Sequence, residues 1–288
     1  MDSNLVRRIA FATVAIPTAI LIVWAGGWPL ALLVATIAVL GTGELFDLAS
    51  RHGVEAVRPL GLAMAALIPL GWYLKLVNPN VADFLTTWSA YLVPASIMVL
   101  LSVALALRPA TARPLGAIAV TLFGVGYAGL LPAFLLPLRH DGWPARSWGG
   151  TALVFFPLVV VWVCDTAAMF GGRLAGGAKL APTISPGKTR AGGIAGLVGG
   201  LLVAPLFVLL VFPRVGIDLS MSAAAAMALG FSVIGQVGDL AESLLKREAG
   251  VKDSSSLIPG HGGVLDRFDS LYFVIPAAAA CYRLAGLL

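Results

Sequence analysis

Long apolar runs alternate with short polar stretches along the whole chain. A helix that crosses a bilayer needs about 20 apolar residues, because the hydrocarbon is about 30 Å thick and each helical residue rises about 1.5 Å. Runs of that length predict nine candidate spans, with approximate bounds at 9–26, 28–48, 60–77, 86–107, 114–138, 149–170, 192–213, 220–240 and 270–287. The pattern therefore predicts an all-α integral membrane protein, a polytopic bundle of about nine transmembrane helices.

The composition supports the membrane assignment. Of the 288 residues, 59% are hydrophobic and 11% are charged, whereas a soluble domain carries roughly 25% charged residues to cover its wet surface. Cys164 and Cys281 lie in apolar stretches, so we expect small buried hydrophobes there and neither a disulfide nor a metal clip. The net charge of +5 favours anionic lipid or an anionic substrate. No run is basic enough to predict nucleic-acid binding.

Basic residues predict the orientation, because cytoplasmic loops carry an excess of Lys and Arg. With the N-terminus inside, 14 of the 19 Lys and Arg residues fall in cytoplasmic segments. We therefore expect a multi-pass protein of the cell inner (plasma) membrane, with its N-terminus in the cytoplasm and its C-terminus on the opposite side.

Polar residues with chemical potential concentrate in the second half of the chain. Residues 1–145 are predicted to form N-terminal scaffold helices. Residues 146–288 are predicted to form a catalytic region with two cytoplasmic loops, at 162–193 and 235–270. Both loops are rich in glycine, charged residues and hydroxyl groups.

The first loop has the parts of an anion-binding cradle. Asp165 lies near the end of an apolar run, where a carboxylate either faces a protein cavity or reaches headgroup water. The run Ser185-Pro186-Gly187-Lys188-Thr189 offers backbone N–H groups, hydroxyl donors and one cation, which suits a phosphate. It is not a Walker A loop. A flexible interhelical loop is the alternative.

The second loop carries more charge. If the eighth span continues as a helix, Glu242, Ser243 and Lys246 share a face with Asp239. The remaining candidates are a basic cluster beside an acid, one imidazole among glycines and a mixed run before the ninth span: Arg247, Lys252, Asp253, His261, Asp266, Arg267 and Asp269. His261 could also simply cap a loop.

Asp239, Asp266 and Asp269 are the predicted metal ligands. Acids at facing helix ends repel each other unless a cation lies between them, and hard oxygen ligands suit Mg²⁺. One Mg²⁺ ion or two would support phosphoryl or nucleotidyl transfer. The alternative is a set of interfacial salt bridges, such as one between Arg267 and Glu242.

At these residues the chain resembles a known family, the phosphatidate cytidylyltransferases or CDP-diglyceride synthases. The family's C-terminal signature reads roughly S-x-x-K-R-x4-K-D-x4-[IL]-P-x-H-G-G-x-x-D-R-x-D. The matching positions are Ser243, Lys246, Arg247, Lys252, Asp253, Pro259, His261, Gly262, Gly263, Asp266, Arg267 and Asp269. The first loop is similar to the family's SPxKT element. The resemblance covers about 165–285, and it departs at Ala191, where members often carry Glu or Gln.

The resemblance implies a reaction in phospholipid biosynthesis: CTP and phosphatidic acid give CDP-diacylglycerol and pyrophosphate. It implies catalytic roles for the residues Asp239, Lys246, Arg247, Asp266, Arg267 and Asp269. It implies phosphate binding by Ser185, Lys188, Thr189, Lys252 and His261, with weaker candidates at Asp165, Glu242, Ser243 and Asp253. The expected partners are CTP, phosphatidic acid and the bilayer. The sequence leaves a homodimer open.

Two other kinds of protein remain as alternatives. A transporter or channel would distribute charges along several spans near the middle of the membrane, and only Glu44 and Asp47 are of that kind. A CTP-dependent lipid kinase, acting on a polyprenol or phytol, would use a similar cradle with an alcohol as nucleophile. Product analysis distinguishes the enzymes.

Overall fold

The apolar runs form helices whose ends lie at polar residues, glycine or proline. The computed structural model describes residue 13 and residues 16–258, 260 and 262–288. In chain order the elements are α1 (Ile16–Ala25), α2 (Gly27–Ser50), α3 (Arg58–Val77), α4 (Pro79–Leu107), α5 (Ala110–His140), α6 (Trp148–Ala175), β1 (Lys179–Ala181), β2 (Ser185–Thr189), α7 (Arg190–Val215), α8 (Met221–Glu248), α9 (Leu265–Phe268) and α10 (Leu271–Leu284).

The helical membrane fold is confirmed. Among the described residues, the seven helices α2 to α8 are long and apolar enough to cross a membrane. The predicted span 9–26 lies partly outside the described residues, which contain α1 from it. The predicted span 270–287 corresponds to α10, which has 14 residues. The predicted number of about nine is therefore approximate.

Two of the long helices are irregular where proline interrupts their hydrogen bonds. In α5, the π-helical turn Val125–Leu130 lies just before Pro132. In α7, the α-helical part ends at Leu201, a second short turn contains Pro205, and a π-helical turn follows at Phe207–Val211. Proline has no N–H to donate, so a carbonyl one turn earlier loses its usual partner and the local winding changes.

A short hairpin in the first loop departs from the helical pattern, and in the second loop Ile258 and Gly262 form an isolated antiparallel bridge. Strands β1 and β2 pair antiparallel, with Lys179 opposite Thr189 and Ala181 opposite Ser185, and the pairing contains a register irregularity. The predicted anion cradle at 185–189 is thus the second strand of this hairpin. The hairpin leads directly into α7, because Thr189 accepts a hydrogen bond from Gly192 N through Oγ1 at 3.0 Å.

The chain packs into two compact units, each built from separate segments. Unit 1 contains 138–252, 268–288 and the described residues up to Gly26. Unit 2 contains 27–137 and 253–267. The predicted division near residue 145 falls close to the 137/138 division, but the segment 253–267 groups with the N-terminal helices.

Unit 1 depends on small residues that let its helices approach closely. A side chain at Gly196 would meet the Cys164 carbonyl on α6 at 3.0 Å. Gln236 of α8 donates to the Gly193 carbonyl of α7 at 3.1 Å. Hydrophobic and backbone contacts therefore hold α6, α7 and α8 together before any charged group is considered.

Unit 2 is fastened by side chains that bind backbone groups. Buried Thr121 of α5 accepts from Val57 N at 2.8 Å. Arg108 donates to the carbonyls of Glu55 and Ala56 at 2.5 and 2.7 Å. These contacts fix the connection between α2 and α3 against α4 and α5.

Candidate active site

The predicted polar face of α8 is present. The helix continues to Glu248. The residues on one side of it are Asp239, Glu242, Ser243 and Lys246. Lys246 Nζ lies 3.0 Å from Glu242 Oε1, and both side chains are buried. Glu242 therefore pairs with Lys246 within α8.

Lys188 joins the two loops. Its Nζ forms an ion pair with Asp239 Oδ2, and the two side chains keep 31% and 24% of their surface exposed. Lys188 lies in strand β2, which continues directly into α7. This ion pair connects the first loop to the second, and both side chains stay partly exposed.

Two further acids lie close to Asp239. Asp165 of α6 is within electrostatic range of Asp239, Asp269 and Lys188. Burial, together with the Asp239 carboxylate, raises the pKa of Asp269 from 3.8 to about 6. Three acids thus face two cations, Lys188 and Lys246. This arrangement disfavours full ionisation of the acids unless a cation joins them.

Gly238 allows Asp269 to approach α8. A Cβ at Gly238 would lie 2.9 Å from the Asp269 carbonyl oxygen and 3.2 Å from Phe273 Cβ. Both distances are shorter than an ordinary contact, so only glycine fits without a shift. The residue before Asp239 therefore sets how near Asp269 can come.

Two predicted phosphate ligands are engaged with the backbone. Thr189 is buried and caps α7. Arg247 is exposed, and it donates to the Ile184 carbonyl at 3.0 Å and to the Val251 carbonyl at 2.9 Å. Arg247 thereby connects the hairpin turn to the end of α8, and its remaining N–H groups face outward with its exposed side chain.

Two other predicted residues of unit 1 are at least partly exposed. Ser185 is half-buried in β2, and Lys252 is exposed after α8. Both belong to the segments that Arg247 holds together. Their predicted role in phosphate binding stays a prediction.

Within unit 2, the signature acid Asp266 is held by backbone donors. Asp266 Oδ2 accepts from Ser254 N and Gly263 N, both at 2.8 Å, and lies 2.9 Å from Ser254 Oγ. Asp253 and Arg267 are exposed. His261 lies outside the described residues.

Glu44 is the residue of this network that the sequence did not assign to the site. It accepts hydrogen bonds from Ser254, Ser255, Val264 and Leu265, and 5% of its surface is exposed. The sequence pattern that could have indicated Glu44 is an acid inside the apolar run 28–48, where an ionisable group needs a partner. No local pattern identifies that partner.

The donor set near Asp239 suits Mg²⁺ by charge and by ligand type. Within the described ranges, no three His, Cys, Asp or Glu side chains are placed to enclose a metal ion. Mg²⁺ does not need such a cage, because it is usually held by one or two carboxylates while water and substrate phosphate complete the shell. Asp239 and Asp269 provide that minimum, and Asp165 lies beside them.

Comparison with known proteins gives consistent matches. Residues 6–285 match the sequence model described as the Cytidylyltransferase family. A Haemophilus influenzae protein named phosphatidate cytidylyltransferase is 41% identical over 152 residues, covering 52% of this chain and 53% of that protein. A Brucella suis protein of the same name is 45% identical over 168 residues, covering 57% and 56%. The matched stretch thus spans about half the length of these curated relatives.

A plant relative matches over a longer stretch. An Arabidopsis thaliana protein named phosphatidate cytidylyltransferase 4, chloroplastic, is 35% identical over 303 residues. That match covers 94% of this chain and 71% of the plant protein. The similarity therefore includes the N-terminal helices as well as the two loops.

Proposed function

Because this chain belongs to the cytidylyltransferase family, we propose that it transfers the cytidylyl group of CTP to the phosphate of phosphatidic acid, forming CDP-diacylglycerol and pyrophosphate. The observation that carries the proposal is the pair Lys188–Asp239. It joins the hairpin to the charged face of α8, beside two more acids. The relatives' names supply the substrates.

The reaction requires stabilisation of the negative charge of the two substrates. It does not require a nucleophile from the protein. The attacking group is an oxygen of the lipid phosphate, which is already negative. It forms a bond to the α-phosphorus of CTP as the bond to pyrophosphate breaks. The barrier comes largely from bringing one anion onto another, so positioning and electrostatic stabilisation are the main contributions.

Cationic side chains of unit 1 would gather the phosphates. Lys188 is partly exposed and held by Asp239, so its position is fixed while its ammonium stays accessible. Lys252 and Arg247 are exposed at the end of α8. Lys246 is buried against Glu242, and its charge acts on the acid cluster from within unit 1.

Asp239 and Asp269 would hold Mg²⁺, with Asp165 beside them. When bound, the ion would screen the triphosphate and polarise the phosphorus that is attacked. Asp239 also orients Lys188. Asp266, the third predicted ligand, is held by Ser254 and Gly263 within unit 2, and its part in metal binding stays a prediction.

The membrane location suits a lipid substrate. The chain is a multi-pass membrane protein, and the excess of Lys and Arg places both loops on the cytoplasmic side in our proposal. CTP would reach the site from the cytoplasm. Phosphatidic acid would enter from the bilayer, with its phosphate at headgroup depth.

The test uses purified protein in detergent with phosphatidic acid, Mg²⁺ and each of the four ribonucleoside triphosphates. Lipid-linked nucleotide and pyrophosphate are measured together. CDP-diacylglycerol formed with CTP and lost on chelation is the expected result. A phosphorylated lipid alcohol, formed when polyprenol replaces phosphatidic acid, would instead assign the chain to the lipid kinases. Folded protein that forms neither product would contradict the proposal.

A further inference from the structure

Both carboxylate oxygens of Glu44 accept hydrogen bonds from a segment of the chain more than 200 residues away. Its Oε1 accepts from Ser255 Oγ at 2.7 Å and from Val264 N at 2.9 Å. Its Oε2 accepts from Ser254 Oγ at 2.8 Å and from Leu265 N at 2.9 Å. All of these residues belong to unit 2.

Only a carboxylate satisfies this set of donors. Two of the four are backbone N–H groups, at Val264 and Leu265, which can never accept a hydrogen bond. They approach different oxygens of Glu44. Glutamine has the same shape, but its NH₂ group must replace one oxygen and would face a backbone N–H. A buried N–H would then lose its partner.

The network reaches the signature acid through Ser254. The Ser254 hydroxyl lies 2.8 Å from Glu44 Oε2 and 2.9 Å from Asp266 Oδ2, and the Ser254 backbone N–H also donates to Asp266. Glu44 and Asp266 therefore hold the same residue from two sides. The position of the Asp266 carboxylate depends on this arrangement.

The two glycines of the signature fit the same explanation. Gly262 has φ +79°, and a Cβ there would lie 2.6 Å from Asp266 Oδ2. A Cβ at Gly263 would collide with the Ser254 hydroxyl and the Glu44 carboxylate. The backbone passes so close to both acids that neither position has room for a side chain.

We infer that Glu44 is a positioning residue for the segment 253–267, which contains Asp253, Asp266 and Arg267. It does not touch substrate, because its oxygens are buried and occupied by protein donors. Its role is to hold the signature segment on α2 in the conformation that the reaction uses. The inference rests on the proposed function for its kinetic readout, and it has a second readout that does not.

The experiment compares Glu44→Gln with Glu55→Gln. Glu55 is an exposed acid of unit 2, so its variant controls for the loss of one negative charge. We expect kcat for CDP-diacylglycerol formation to fall about 10- to 100-fold in Glu44→Gln, with KM for CTP little changed. We also expect faster hydrogen–deuterium exchange in peptides containing 254–258 and 262–266. Glu55→Gln should match the unmodified protein in both measurements.

The outcomes separate this inference from the proposed function. Wild-type kcat and wild-type exchange in Glu44→Gln would overturn the inference, as would a rise in KM alone. If the unmodified protein makes no CDP-diacylglycerol, the proposed function fails and the exchange comparison decides the inference. If Glu44→Gln does not fold, Ser254→Ala replaces it, because that change removes the hydroxyl shared by Glu44 and Asp266 and leaves the backbone N–H donors of both acids in place. Faster exchange is then expected in 254–258, and wild-type exchange there together with wild-type kcat would overturn the inference.

Discussion

Charged side chains in this chain have two kinds of partner, and the kind predicts what a substitution does. Lys188 and Asp239 pair with each other and stay partly exposed. Arg139 is fully buried and donates to the carbonyls of Val23, Trp24 and Pro144 at 2.7 to 3.1 Å. Loss of an exposed pair should change activity more than stability, whereas loss of a buried guanidinium should change stability first.

Asp239→Asn tests the first kind of partner. The change removes the negative charge that holds Lys188 and that faces Asp269. We expect kcat to fall by about 100-fold or more, as when a preorganised charge is removed from an active site. The initial rate of CDP-diacylglycerol formation at saturating CTP measures it.

Asp218→Asn is the matched control, because it makes the same change at an exposed acid just before α8. The rate should change by no more than about twofold. Equal losses in the two variants would mean that the effect does not depend on the position of the Asp239 charge.

Substitutions at Thr189 test whether its hydroxyl stabilises the helix or binds the substrate. Its Oγ1 accepts from Gly192 N and caps α7, so Thr189→Ala should lower stability by about 1 kcal/mol. Thr189→Ser keeps the cap and should keep most of that stability. Thermal unfolding in detergent measures it, alongside KM for CTP. A raised KM in Thr189→Ala with unchanged stability would assign the hydroxyl to phosphate binding.

Among the elements, α8 shows how a helix can be restricted at one glycine and free at another. Gly238 has the Asp269 carbonyl 2.9 Å from where its Cβ would be, and Gly230 on the same helix has no such neighbour within 4 Å. Gly238→Ala should push the start of α10 away from Asp239. We expect activity to fall about tenfold or more, because small displacements of reacting groups are costly.

Gly230→Ala provides the comparison. It has the same change in helix propensity, which favours alanine by about 1 kcal/mol, without the close contact. Activity should stay at the wild-type level, and the melting temperature should stay equal or rise. Wild-type activity in both variants would show that the approach of Asp269 to α8 is unimportant for the reaction.

The long helices could be predicted from the sequence because their length depends on bilayer thickness alone. The hairpin could not. Strand β2 contains Pro186 and Gly187, which are unfavourable in strands. It is held by pairing with β1 and by Arg247, 63 residues from the Ile184 carbonyl that accepts from it. Local patterns contain no record of such a distant contact.

For the site, as for the fold, the sequence predicted residues but not the distant contacts that position them. The motifs indicated Lys188 as a phosphate ligand and Asp239 as a metal ligand, and they did not indicate that the two side chains form an ion pair. Arg247 was predicted to be catalytic and Thr189 to bind phosphate. In the structure both side chains bind backbone groups, because a motif names a residue and not its contact. The role of Glu44 depends on partners 210 to 221 residues away.

For the whole molecule, the orientation in the membrane is the property that most needs a direct test. Helix α6 is a candidate span, so its two flanking loops should lie on opposite sides. In a background lacking Cys164 and Cys281, we expect an impermeant maleimide to label Ala145→Cys in intact spheroplasts. Ala178→Cys should react only after permeabilisation. Both positions are exposed. The reverse pattern would place the hairpin outside and contradict a cytoplasmic site.

The link between α2 and the segment 253–267 also affects how the protein is made. During synthesis, Glu44 leaves the ribosome 210 residues before Ser254. A nascent chain stopped just after residue 250 would contain all seven long helices of the described region. It would lack the four residues that donate hydrogen bonds to the Glu44 carboxylate. The hydrogen bonds that order the signature segment can form only once that late stretch has emerged. Under the proposed function, we therefore expect a chain that stops near residue 250 to form no CDP-diacylglycerol.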